Sequence, residues 1–178
     1  MDNRKVNRKL KKNKYRLMIV VFAVIIVFLI GFLIRKHNVE KAISKYDSEI
    51  LIVKSDGNQL DSLTLKEIRK LGAEKKSVYL NNGLEKVDIE GVAIEKIIGK
   101  LDVNLKDRAF LIVEDNDGNQ KRISMSAALE PERVYLVYKM DGEPVFDISQ
   151  NYGKMLIIDT NAESTTSWVN DVKTLDIE

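Results

Sequence analysis

The sequence predicts an α+β domain that follows a single membrane-spanning helix. One supporting observation is an apolar stretch, LMIVVFAVIIVFLIGFLI, which starts at Leu17 and ends at Ile34. A second is the change of pattern from Glu49 onwards, where short apolar runs alternate with turn residues. Strands and short helices are mixed in this part without a regular βαβ alternation, which favours α+β over a doubly wound sheet.

The apolar stretch 17–34 has the length and composition of a transmembrane helix. At 1.5 Å per residue it covers about 27 Å, close to the roughly 30 Å hydrocarbon thickness of a bilayer. A buried core helix would carry a polar face, and a cleaved signal peptide would have a shorter apolar core with a cleavage motif close behind it. The nearest small-residue motif, Ala42-Ile43-Ser44, lies well beyond the stretch. We therefore expect a retained anchor in contact with the lipid bilayer.

The charge distribution predicts an orientation and excludes one class of partner. Residues 1–16 contain eight Lys or Arg and one Asp, whereas only Arg35 and Lys36 follow the apolar stretch closely. The positive-inside rule then places the N-terminus in the cytoplasm and the rest of this single-pass protein outside the cell membrane. From residue 38 onwards, 19 basic residues stand against 26 acidic ones, so we expect no nucleic-acid partner.

These patterns divide the chain into four parts. We expect a basic cytoplasmic tail at 1–16, a transmembrane helix at 17–34, a juxtamembrane connector at 35–48 and an extracytoplasmic domain at 49–178. Cysteine is absent from the chain, so an exported domain has no disulfide and the helix itself is the anchor.

Local signals define the elements of the domain. Residues 50–54 predict a strand that ends at the turn Asp56-Gly57. Thr64 and Glu67 form a capping box, which predicts the start of a short helix that Gly72 ends. The other expected elements are strands 77–80 and 85–89 joined by Asn81-Asn82-Gly83, a helix with Ile94, Ile97, Ile98 and Leu101 on one face, a hairpin with its turn at Asp117-Gly118, a helical turn in SMSAALEPER, a strand at 134–138, and strands in KMLIID and WVNDVKTLDI.

Six pieces of sequence in order resemble the oxidoreductase molybdopterin-binding domain of sulfite oxidases and their bacterial relatives. They are LTLKEIRKL, IEGVAIEKII, FLIVEDNDGNQKRISMSAAL, VYLVYKMDGEPV, YGKMLIID and SWVNDVKTLDI. Their order and approximate spacing agree from Ile50 to the C-terminus. The resemblance implies a mixed, mostly-β, sulfite-oxidase-like fold and, in an active member, a molybdopterin cofactor.

The chain departs from this family at two places. The cysteine whose thiolate binds molybdenum in the family falls, by counting back from Gly91, within residues 79–82, which read Tyr-Leu-Asn-Asn here. A phenol or an amide is a poor substitute for the soft thiolate. The family often carries basic and small polar residues ahead of a Trp that Trp168 matches, but acidic Glu163 and the run Thr165-Thr166-Ser167 precede it here. An acidic side chain repels a phosphate, so we expect no molybdopterin and no metal.

The resemblance leaves five candidates for a degenerate pocket: Tyr79, Asn81, Asn82, Arg122 and Trp168. Each has a structural alternative. The Asn-Asn-Gly turn explains both amides, and Arg122 can pair with Glu114 across its hairpin. Trp168, like Tyr135, Tyr138 and Phe146, can belong to the core instead of lining a cleft.

The residue inventory excludes several other chemistries. The sole histidine, His37, stands beside the apolar stretch, and without cysteine the domain has no Ser-His-Asp triad, Cys-His pair or zinc site. The run EDNDGN contains oxygen ligands for calcium but lacks the EF-hand spacing, so a hairpin turn is the better interpretation. Catalysis by a carboxylate pair stays open, because no two acidic residues are distinguished.

Together these features predict a membrane-anchored binding or interaction module that recognises an unknown envelope protein or a small ligand. The alternative is a molybdopterin-dependent oxidoreductase subunit that works with a membrane electron carrier. A structural spacer in a membrane assembly is a third interpretation, which a large exposed apolar patch without a pocket would favour.

Overall fold

The computed structural model describes residues 3–101 and 103–178, so Met1 and Asp2 of the basic tail and Asp102 of the domain lie outside the described residues. It forms two compact units, Met1–Glu40 and Lys41–Glu178. Helix and strand have about equal shares of the chain, and the predicted mixed α and β character is confirmed.

The elements follow one another as short segments after one long helix. The α-helices are α1 (Asn3–Ser44), α2 (Leu65–Lys70), α3 (Ile94–Gly99), α4 (Met125–Ala128) and α5 (Val145–Ile148). The strands are β1 (Ile50–Ser55), β2 (Asn58–Thr64), β3 (Glu74–Leu80), β4 (Glu85–Ala93), β5 (Phe110–Asp115), β6 (Gln120–Ser124), β7 (Val134–Met140), β8 (Glu143–Pro144), β9 (Leu156–Asp159) and β10 (Val172–Ile177).

Helix α1 contains the apolar stretch predicted from the sequence. Its segment Met18–Ser44 is long and apolar enough to cross a membrane, judged by length and composition. The large apolar side chains between Met18 and Ile34 are exposed, as Phe28 is at 75%. Water does not favour such a surface, whereas the hydrocarbon of a bilayer accepts it.

The strands form two five-stranded sheets. Sheet A has the order β2-β1-β10-β5-β6, in which β1 and β10 are parallel and the other pairs antiparallel. Sheet B has the order β3-β4-β7, and both β8 and β9 pair with β7. Strand β2 is missing from the sequence-based expectations. It is an edge strand with mostly exposed residues, so its sequence carries no clear alternation.

The short helices begin where the local signals predict. In α2 the Thr64 side chain accepts from the Glu67 backbone N–H, and the Glu67 carboxylate accepts from the Thr64 backbone N–H. This confirms the capping box, which satisfies two N–H groups that the helix leaves without partners. In α3 the residues Ile94, Ile97 and Ile98 are all buried, as their spacing predicts.

A β-bulge in sheet B positions the polar groups described below. Glu90 of β4 lies opposite Lys139 of β7, and the next residue, Gly91, lies opposite Val137. Tyr138 is therefore the extra residue of the bulge. A Cβ on Gly91 would lie 2.5 Å from the Leu136 carbonyl oxygen, so this close approach of two strands requires glycine.

Two apolar clusters form the core of the unit Lys41–Glu178. The first takes residues from both sheets and includes Ile43, which is fully buried. The second lies against the other side of sheet B and includes Leu80, Tyr135 and Trp168. Because Ile43 packs in the core, the compact unit begins ahead of the boundary at Glu49 that the sequence pattern indicates.

Candidate functional site

The turn between β3 and β4 occupies the position where the resembled family has its cysteine. Asn81 and Asn82 have φ values of 50° and 55°, in the left-handed region that asparagine tolerates. Both side chains are exposed, and the Tyr79 side chain, just before the turn, is 58% exposed. The turn conformation therefore accounts for both asparagines without a ligand.

The same turn contacts the segment that contains Trp168. The Asn81 backbone N–H donates a 2.9 Å hydrogen bond to the Glu163 carbonyl. Trp168 is 8% exposed and belongs to the same apolar cluster as Leu80, with the Tyr152 ring 6.2 Å away. Within the described part of the chain, the buried Trp168 Nε1 has no hydrogen-bond partner. The structure thus brings Asn81 and Trp168 into one region, with the indole in the core.

Arg122 lies in the other sheet, on the edge strand β6. It is exposed, stands opposite Ile112, and its guanidinium lies 5.7 Å from the centroid of the Phe110 ring. Glu114 accepts a 3.0 Å hydrogen bond from Gln120, not from Arg122. The expected pairing of Arg122 with Glu114 is therefore wrong, because the register of the hairpin places Gln120 opposite Glu114.

Lys121 is a residue near Trp168 that sequence reasoning missed. Its amine donates to the carbonyl oxygen of Ser167, which precedes the tryptophan. A cation therefore reaches the region from β6, although the residues just before Trp168 in the sequence are polar or acidic. Only the pairing of distant segments brings it there, and no local motif signals it.

The other aromatic residues considered from the sequence lie in or against the core. Tyr135 and Tyr138 are each 1% exposed, in the second and first cluster respectively. Phe146 is half-buried, and the Tyr46 ring meets it edge-on with the centroids 5.6 Å apart.

A polar face on the β3/β4 hairpin borders a groove of about 520 Å³. We call this groove the polar groove; its lining includes Lys75, Ser77, Lys86, Asp88, Glu90 and Asp141. Cross-strand contacts order its side chains, since Asp88 accepts from Ser77 at 2.6 Å and lies 2.9 Å from the Lys86 amine. These two donors hold the pKa of Asp88 below its usual value.

Glu90, which lines the polar groove, forms an ion pair with the buried Lys139. The Lys139 amine, on a side chain that is 4% exposed, donates to Glu90 Oε1 at 3.2 Å. The Tyr138 hydroxyl donates to the same oxygen at 3.3 Å, while Lys75 lies 3.8 Å from Oε2. Burial, and next the charge of Glu90, raise the pKa of Tyr138. The sequence predicts a strand here but not the burial of Lys139, because that burial depends on the bulge at Tyr138.

The EDNDGN run forms the turn between β5 and β6. Asp115 accepts hydrogen bonds from the side chain of Asn119 and from the backbone of Asp117, which lower its pKa. These contacts confirm the hairpin turn as the interpretation of this run. In residues 3–101 and 103–178, no group of three or more His, Asp or Glu is placed to hold a metal ion.

A known structure shares part of this architecture. The crystal structure of the sulfane dehydrogenase SoxCD from Paracoccus pantotrophus matches with a TM-score of 0.57 at 16% sequence identity. The match covers 74% of this chain but only 38% of the dehydrogenase chain. No protein-family model matches the sequence, and no curated protein does.

This likeness describes the domain at the level of its fold. The domain is a mixed α and β domain with a partial likeness to an oxidoreductase, and this loosely supports the expected molybdopterin-binding type of fold. At 16% identity the likeness shows the fold alone and assigns no activity.

Proposed function

We propose that this protein is a membrane-anchored binding or interaction module on a sulfite-oxidase-like fold that has lost its cofactor. One observation carries this proposal. The turn at the position of the family's thiolate presents exposed Asn81 and Asn82, in a conformation that the turn itself explains. With no cysteine in the sequence, the chain has no thiolate to offer a metal anywhere.

The other donors of the region support the same conclusion. The phenol of Tyr79 and the two amides are poor ligands for a metal that the family binds through sulfur. The Trp168 ring packs in the core, and the Lys121 amine is engaged by the Ser167 carbonyl. The residues present do not fit molybdopterin in the family's manner.

The proposed location follows from α1 and from the charges that flank its apolar stretch. The N-terminus lies in the cytoplasm and the unit Lys41–Glu178 lies outside the cell membrane. The polar groove is our candidate surface for recognising an envelope protein or a small ligand. Its lining alternates Lys75 and Lys86 with Asp88, Glu90 and Asp141, which suits a polar partner with charges of both signs.

A second candidate function is a molybdopterin-dependent oxidoreductase subunit that passes electrons to a membrane carrier. The observation in its favour is the likeness of the fold to a sulfane dehydrogenase. In this case the cofactor is held without a thiolate, and Lys121, whose amine donates to the Ser167 carbonyl, is a cation that reaches the Trp168 segment.

Elemental analysis for molybdenum, with fluorescence detection of oxidised pterin, separates these two functions. The full-length protein and the fragment 38–178 are produced in a host that makes and exports the cofactor. A molybdopterin enzyme from the same host is the positive control, and Asn81→Cys and Asn82→Cys variants test whether a thiol alone restores binding. We expect no metal in the wild-type protein. Stoichiometric molybdenum would overturn the binding-module proposal and support the oxidoreductase.

A further inference from the structure

A chain of polar contacts runs from the residues just after α1 to the polar groove. Arg69 of α2 donates to Asp47 Oδ1 at 2.7 Å, and its guanidinium lies 5.7 Å from the centroid of the Tyr138 ring. The Tyr138 hydroxyl donates to Glu90, which also accepts from Lys139. We call these five residues the polar network.

Burial makes this network sensitive to any change of charge. The side chains of Arg69, Glu90 and Lys139 are 17%, 20% and 4% exposed. Removing one charge of a buried pair leaves the other without balance, which costs far more than losing an exposed pair. The Lys139 amine is therefore held by acceptors inside the fold, and Glu90 Oε1 is one of them.

The bulge explains why one carboxylate serves two donors. Because Glu90 lies opposite Lys139 and Gly91 lies opposite Val137, Tyr138 has no partner residue on β4. Tyr138 and Lys139 therefore reach the same oxygen, although neighbours on a regular strand point to opposite faces. This geometry joins the Arg69 side of the network to the Lys139 side through the Tyr138 hydroxyl.

The two ends of the network have different surroundings. At one end, Glu90 lines the polar groove and lies 3.8 Å from Lys75, which is 82% exposed. At the other end, the Asp47 carbonyl accepts from the Lys66 N–H at 3.2 Å, in the first turn of α2. The Glu49 carbonyl beside it accepts from the Leu65 N–H at 2.8 Å.

We propose that the polar network couples the polar groove to the segment that follows α1. A ligand or partner that draws Glu90 away from Tyr138 and Lys139 loosens Arg69 and, through it, the contacts of Asp47. Binding in the polar groove therefore weakens the hydrogen bonds between the segment that follows α1 and the first turn of α2. The proposal rests on the proposed binding function, but its test needs neither a ligand nor a cofactor, so either proposal can fail alone.

Hydrogen exchange of the full-length protein in detergent micelles tests the coupling. The readout is a short peptide that contains the Leu65 and Lys66 amides. Glu90→Gln should accelerate their exchange about tenfold while amides of sheet A, such as Val113 and Leu175, stay within about twofold. Asp88→Asn is the matched control, because Asp88 lies on the same strand face and is hydrogen-bonded but is outside the network. It should leave Leu65 and Lys66 within about twofold.

Two further variants keep the test decisive. If Glu90→Gln does not fold, the double variant Glu90→Gln/Lys139→Met removes both charges of this ion pair and should give the same local acceleration. In a Tyr138→Phe background, Glu90→Gln should add less than about twofold, because the hydroxyl that joins the two halves is gone. Equal acceleration by Asp88→Asn, a uniform acceleration of all amides, or an undiminished effect in Tyr138→Phe would overturn the proposal.

Discussion

The Tyr46 hydroxyl donates a 2.6 Å hydrogen bond to Asp147 Oδ1, although the two residues are 101 positions apart. Tyr46 stands just after α1, and Asp147 lies in α5. The edge-on contact of the Tyr46 ring with Phe146 adds an apolar component to the same junction. The segment after α1 is therefore part of the folded unit and does not behave as a free linker.

This hydrogen bond predicts a pH dependence at high pH. Ionisation of Tyr46 would break its hydrogen bond to Asp147. This hydrogen bond raises the pKa of Tyr46 from 10.0 to about 12, and partial desolvation and the charge of Asp147 make smaller contributions. Since the folded state favours the protonated phenol, this contribution to stability is present below pH 10.0 and is lost as the pH rises to about 12. Carbon-13 NMR of labelled tyrosine measures the pKa of Tyr46. In the Asp147→Asn variant this pKa should fall from about 12 towards 10.0, and an unchanged pKa would contradict the assignment.

The burial of Ile43 predicts that the folded unit needs residues ahead of Glu49. Ile43→Ala should lower the free energy of unfolding of the fragment 38–178 by about 2–5 kcal/mol, because it leaves a cavity in the first core cluster. Ile50→Ala is the matched control, since Ile50 is 52% exposed, and it should cost less than about 1 kcal/mol. Chemical denaturation followed by Trp168 fluorescence measures both. Equal costs for the two variants would show that Ile43 is not part of the core.

Elements with local signals were predictable from the sequence. The capping box of Thr64 and Glu67 depends on residues three apart, and the Asn81-Asn82-Gly83 turn depends on residues that tolerate positive φ. The apolar spacing of α3 likewise reports which face is buried. Each of these signals lies within five consecutive residues, so the element can be predicted without knowing which distant segments it contacts.

Features that depend on distant pairing were not predictable. The parallel pairing of β1 with β10 joins the two ends of the domain, and nothing in either strand specifies the other. The burial of Lys139 depends on the bulge opposite Gly91, and the approach of Lys121 to Ser167 depends on how β6 meets a later loop. The candidate site was therefore located only in part, through Asn81 and Trp168, while its charged neighbours were missed.

The approach of β4 to β7 predicts a large effect of a single methyl group. Gly91→Ala places a Cβ 2.5 Å from the Leu136 carbonyl oxygen, which is backbone and cannot rotate away. We expect a loss of about 1–3 kcal/mol or more in the free energy of unfolding. Gly99→Ala is the control, because nothing lies within 4 Å of its Cβ and helix propensity favours alanine. It should be neutral or stabilising by up to about 1 kcal/mol. A similar cost at both positions would argue against close packing at Gly91.

The proposed orientation predicts which single cysteines are reached from each side of the membrane. The native chain has no cysteine, so one introduced thiol is the only target of a maleimide. Glu85→Cys, at an exposed position of β4, should react with a membrane-impermeant maleimide in right-side-out vesicles. Asn7→Cys, in the basic tail, should react only in inverted vesicles, because the proposed orientation places the tail with its excess of Lys and Arg in the cytoplasm. The reverse pattern would contradict the orientation, and recovery of the protein in the soluble fraction after carbonate washing would contradict the anchor itself.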